Sequence, residues 1–118
     1  MKQVYIAAPI SAETAADMER VLAAIRASDN PVEHRREGID MVLRLTAECL
    51  DHYFLHGAEQ LGLGAVARQT VRLGLKSANG GIGVFVRQLG KMMSGPQLVV
   101  LADLVEGLVL EVEDDDAP

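Results

Sequence analysis

Apolar residues recur along most of this chain at intervals of three and four, the spacing of a helix that buries one face. Met18, Val21, Leu22 and Ile25 form the first such stripe, with Asp17, Glu19, Arg20 and Arg26 elsewhere around the same segment. Ser11 is placed to cap this helix, which the pattern carries to about Ser28. "SDNP" then stops and restarts the chain. Asn30 is a natural N-cap, Pro31 suits the first helical position, and Glu33 completes an arrangement like a capping box. A second, longer stripe runs from Pro31 to about Leu61 through Val32, Ile39, Leu43, Ala47, Leu50 and Phe54. Gly38 weakens it by roughly 1 kcal/mol relative to alanine, a cost that a buried stripe offsets. "GLG" at 62–64 ends it.

A third helix is expected from about Ala65 to Ala78. Its apolar arc is Val66, Ala67, Val71, Leu73 and Leu75, with Arg68, Arg72 and Lys76 at four-residue steps on another face. "SANGG" reads as a turn. After it, Ile82, Phe85, Val86, Leu89, Met92 and Met93 share one arc of an amphipathic helix, opposite Arg87 and Lys91. "SGP" restarts the chain before "QLVVLADLVEGLVLEVE", which is apolar nearly all round except at Asp103 and Glu106. Gly107 can end this helix at Val105 or Glu106. The "LVLEV" that follows has strand composition, as do residues 2–7 ahead of Pro9. The expected fold is mainly α: one domain spanning 1–118, built as a bundle of four to five helices. A short strand at each chain end is compatible with it, and an acidic tail follows from about 112 to 118.

Composition adds limits. With 49% hydrophobic and 24% charged residues the chain has the balance of a folded domain. Only 3% of residues are aromatic and there is no Trp, so Leu, Val, Ile, Ala and Met must build the core. The single cysteine excludes an internal disulfide and suits a reducing compartment. No apolar run approaches the ~20 residues that span a bilayer. A cytoplasmic protein without a membrane role is expected.

The net charge of −6 is unevenly spread. Residues 60–102 hold Arg68, Arg72, Lys76, Arg87 and Lys91 and no Asp or Glu. Residues 103–118 hold Asp103, Glu106, Glu111, Glu113, Asp114, Asp115 and Asp116 and no Lys or Arg. Each cation alone reads as part of a solvated face. Two consecutive helices with aligned cations could, as a hairpin, merge them into one anion-facing patch. An acidic protein, a phosphorylated ligand or the protein's own acidic tail would fit it. Nucleic acid fits poorly, because five charges come without aromatic stacking residues and the acidic total opposes approach.

The densest chemistry is "ECLDHYFLHGAE" at 48–59. On a helix, Cys49, His52 and His56 share one flank, and thiolate and imidazole are zinc ligand types. No second ligand pair and no Glu-x-x-His motif accompanies them, so the flank reads first as a helix edge and second as a metal site. Nothing identifiable would orient a histidine beside Cys49 or hold an oxyanion. "NGGIG" lacks the Lys-Ser/Thr ending of a phosphate loop. "KQVYIAAPIS" resembles the opening strand and turn of the nucleoside 2-deoxyribosyltransferases over about ten residues, but the alternating strand–helix pattern of that fold does not follow. "LKSANGGIG" is similar to the segment after the phospho-accepting histidine of histidine phosphotransfer domains, with Leu73 where that histidine would stand. Neither stretch is specific enough to name a family.

Without a catalytic constellation, the expected function is a non-enzymatic interaction or regulatory module that forms a homo-oligomer and needs no cofactor. Its interface would lie on the apolar last element, at Leu98, Leu101, Val105 and Leu108. The alternative is a metal- or small-ligand-binding protein, or small enzyme, that uses the Cys49, His52 and His56 flank.

Overall fold

A computed structural model describes residues 2–4 and 6–111, and it is mainly α. The elements are α1 (Ala12–Ala27), a 3₁₀ turn (Pro31–His34), α2 (Arg35–Leu50), a π-helical segment (Asp51–His56), α3 (Gly57–Gln60), α4 (Ala65–Met92) and α5 (Gly95–Leu108). Among the described residues there is no strand. Residues 2–4 and 6–10, and 109–111, have no regular structure, and Val4 and Ile6 are exposed. A strand pair with no sheet face to bury is marginal in water, so β-forming composition alone does not produce one. Tyr5 and the acidic tail at 112–118 lie outside the described residues.

Helix α1 begins as its sequence dictates, with the Ser11 hydroxyl accepting from the Thr14 amide at 3.1 Å. Asn30 and Glu33 behave differently from the expected capping box. The Asn30 side chain makes no cap hydrogen bond, and the Glu33 amide donates instead to the Asn30 carbonyl at 3.0 Å. Pro31 thus opens a tight 3₁₀ turn that passes directly into α2. The box forms later, where Ser94 and Gln97 bond reciprocally at the start of α5. At the far end of the long second helix, Gly62 alone takes a positive φ, 69°. Its amide donates to Glu59 and the Leu63 amide to Ala58, which makes it the left-handed residue of a Schellman cap.

The core is formed by three helices. Met18, Val21, Leu22 and Ile25 of α1, Met41 of α2, and Leu98, Ala102 and Val105 of α5 make one buried cluster, with Ile25, Leu98 and Ala102 wholly shielded. Helix α5 packs on α1 and the 3₁₀ turn, while α4 packs on α2, the π segment and α3. Helix α2 is therefore apolar on two sides: Met41 joins the α1–α5 cluster, and Ile39 meets α4. That contact is very close. A Cβ at Gly90 would sit 2.1 Å from Cδ1 of Ile39, so the absence of a side chain there is what lets Ile39 lie on the α4 backbone. Arg26 ties α1 to α5 through Asp103, at 2.8 Å, and Glu106.

The largest departure from expectation is α4. The "SANGG" stretch does not turn; residues 65–92 form one helix of 28 residues. Two expected helices are one, and the expected hairpin does not exist. Gly80 and Gly81 remain helical because the ladder of main-chain hydrogen bonds continues on both sides and nothing in the chain requires a reversal there. A Cβ at either position would meet nothing within 4 Å.

Gly80→Ala and Gly81→Ala should each therefore stabilise the protein, by up to about 1 kcal/mol, since alanine gains helix propensity in open space. Gly90→Ala should destabilise it by about 1–3 kcal/mol by overpacking against Ile39. Urea melts of the three variants check this. A loss of stability at Gly80 or Gly81 would show that the chain turns there.

Candidate functional site

The stretch 48–59 is the natural place to look first, and Glu48 shows what it does. Glu48 accepts from the Ser11 amide at 2.7 Å and from the Thr14 hydroxyl, and Arg44 stands 4.0 Å away. Thr14 is buried, and it also accepts from the Ser11 hydroxyl at 2.9 Å. Burial alone would raise the Glu48 pKa. Hydrogen bonds from Thr14 and Ser11 and the charge of Arg44 outweigh it and hold the carboxyl below its ordinary 4.5. Glu48 thus fastens the start of α1 to the end of α2.

Cys49 and His52 are half-buried and His56 is exposed. The two imidazoles stack with centroids 5.1 Å apart, and His52 meets the Tyr53 ring edge-on at 5.7 Å. The segment is π-helical, so these side chains follow a wider turn than the α-helical spacing assumes. Among the described residues, no group of three or more His, Cys, Asp and Glu side chains is placed to hold a metal ion.

The five cations of α4 lie on one helix. At 100° per residue they project into a sector of roughly 140° along about 35 Å, so a continuous helix joins what a hairpin was expected to join. Arg72, Lys76, Arg87 and Lys91 are exposed and Arg68 is half-buried. None forms an ion pair among the described residues. The Arg87 guanidinium lies over Gly83, where a Cβ would be 3.0 Å from Nη1. Beside it, a crevice of about 420 Å³ between α2 and α4 is lined by Leu43, Arg44, Ala47, Asn79, Gly80, Ile82, Gly83 and Arg87. Arg44 is partly compensated by Asp17 at 3.6 Å.

A different surface dominates the other side of α4. A trough of about 540 Å³ opens between α4 and α5, with Ile39 and Val42 of α2 among its lining residues. Val86, Leu89 and Met92 line it from α4, Leu101 and Gln97 from α5, and Met93 from the link between them. Gln97 is its one polar side chain and already serves the α5 capping box. Other apolar side chains stand exposed on the same two helices: Phe85 is 62% exposed, Met92 79%, Leu104 63% and Leu108 81%. Of the four residues expected at an interface, Leu98 and Val105 belong to the chain's own core, Leu101 is half-buried in the trough, and Leu108 is open.

Phe85, Leu89 and Met92, which share the apolar arc of this segment, are thus exposed. Leu104 was not singled out, although Leu101, Leu104 and Leu108 stand at helical spacing and form a second apolar stripe beside the core stripe of Leu98, Ala102 and Val105. Leu73 is exposed on α4 between Arg72 and Lys76.

Comparison with known protein families, with curated proteins and with solved structures finds no match to this chain. No helix among the described residues is long and apolar enough to cross a membrane.

Because folding keeps Glu48 ionised, its stabilisation is complete above about pH 4.5 and is lost as the pH falls through its lower folded-state pKa. Glu48→Gln should cost about 1–2 kcal/mol at neutral pH, the scale of hydrogen bonds to a charged group. Melting the variant and the wild type from pH 7 to pH 3 tests this, because the gap between them should close toward the acid end.

Proposed function

We propose that this protein is a non-enzymatic helical interaction module that assembles with itself. The observation that carries this reading is the open apolar face of α4 and α5. Monomeric proteins rarely expose a contiguous apolar patch larger than a few hundred Å². Here large side chains on two consecutive helices flank a trough that the described residues do not fill. Covering that face removes it from water, at roughly 25 cal/mol for each Å² of apolar surface.

The chemistry elsewhere supports the same reading. Glu48 is committed to a structural contact, and among the described residues the cysteine and histidines beside it do not converge with other ligand types. Helix α4 carries charge without a partnered nucleophile or base. Its cations, unpaired among the described residues, would act on encounter, drawing in an acidic surface or a phosphorylated ligand while the apolar face supplies the lasting contact.

Sedimentation equilibrium across a wide concentration range tests the proposal. The wild type should associate, and Leu104→Asp should weaken association about tenfold or more, since it places a charge in the covered face. Because Leu104 is exposed in the single chain, the variant should keep its helical circular dichroism and melt within about 0.5 kcal/mol of the wild type. A wild type that is monomeric at every concentration would sink the reading.

A further inference from the structure

We propose that the crevice between α2 and α4 binds a small phosphorylated organic molecule, whose phosphate is held between Arg87 of α4 and Arg44 of α2. The site lies apart from the α4–α5 face. No residue lines both the crevice and the trough, so it stands whether or not the chain assembles with itself.

Arg87 is the principal group. Side chains on a helix lean toward its N-terminus, so Arg87 reaches back over the turn that holds Gly83. A Cβ at Gly83 would be 3.0 Å from Nη1 and 3.8 Å from Cζ, so the missing side chain leaves room for the guanidinium to lie along the helix at the crevice. Arg87 has no ion pair among the described residues, and no Asp or Glu lines the crevice. Arg44, on the facing helix, approaches Asp17 at 3.6 Å and Glu48 at 4.0 Å. Both distances exceed a hydrogen bond, so these carboxylates steady Arg44 while its N–H donors remain open to a ligand. Lys76 stands four residues before Gly80 and Lys91 four after Arg87, and both add positive potential beside the site.

The donor set selects the anion. A single guanidinium fork already engages both oxygens of a carboxylate, whereas a phosphate monoester offers three free oxygens to forks on two walls. Asn79 supplies a carboxamide that both donates and accepts, which suits a hydroxyl or carbonyl group near the phosphate. Leu43, Ala47 and Ile82 give an apolar wall for a carbon skeleton. The volume of about 420 Å³ lies within the range of small-molecule sites.

The test titrates isotope-labelled full-length protein with phenyl phosphate and follows its N–H signals by NMR at low salt, with benzoate as the comparison. Phenyl phosphate should shift the signals of Gly80, Gly83, the Asn79 carboxamide and Arg87 Nε saturably at millimolar concentration, and benzoate should bind more weakly. Arg87→Gln should weaken binding about tenfold, the scale of a lost charge-assisted pair. Gly80→Leu fills open space at an exposed position, so it should abolish binding while keeping the helical circular dichroism. Arg72→Gln removes an exposed cation of the same helix outside the crevice and should change binding by less than about twofold. Equal losses in Arg72→Gln and Arg87→Gln would overturn the site, because the anion would then sense only the general field of α4. Benzoate binding as tightly as phenyl phosphate, or no saturable shift at the crevice, would overturn it too. Leu104→Asp should bind phenyl phosphate as the wild type does, so failure of the self-assembling reading and failure of this site are read separately.

Discussion

The structure depends on how α1 and α5 close over one side of α2. Ile25, Leu98 and Ala102 are fully shielded in the cluster, and a cap with a complete reciprocal box stands at the start of α5. Burial of this small cluster is the principal favourable term, and no disulfide or aromatic layer supplements it. Once α1 and α5 occupy that side, α4 can pack only on the opposite one. It does so through Gly90, where the missing side chain leaves room for the Ile39 side chain.

That division leaves the trough. A four-helix bundle of equal helices would bring α4 onto α5 and bury Leu89, Met92 and Leu101. Here α4 has 28 residues, against 16 in α1 and 14 in α5, and it lies mainly along α2 and its π and α3 extensions. The apolar stripe of Phe85, Leu89 and Met92 consequently stays exposed among the described residues. A stripe that patterns like core but remains exposed is the property from which the proposed assembly follows.

Electrostatics has a secondary but directional role. Where charges are paired they link helices: Arg26 to α5, and Glu48 to the start of α1. The cations of α4 have no such partners among the described residues, so they add little to folding and are free to act between molecules. Exposed single pairs contribute little to folding, so these five cations act mainly through the field they set up along α4.

Helix content was legible in the sequence because periodicity reports which face of a helix is apolar, and Met18, Val21, Leu22 and Ile25 lie where that pattern puts them. Ser11 and the "GLG" stop were legible for an equally local reason, since capping depends on a few adjacent residues. The continuity of α4 was not, because "SANGG" suits a turn and a helix alike and only the surrounding ladder decides between them. The candidate site was half legible. The cations and the stripe of Phe85, Leu89 and Met92 stand out in the pattern, but periodicity does not say whether an apolar face meets its own chain or another. The sequence by itself determined the apolar stripes, the cap at Ser11, the stop at Gly62 and the separation of basic from acidic segments, which follow from neighbours along the chain. Only the tertiary structure decided that α4 runs unbroken, that α2 is packed on two sides and that the α4–α5 face stays open, because each depends on which distant helices pack on α2 and what they leave uncovered.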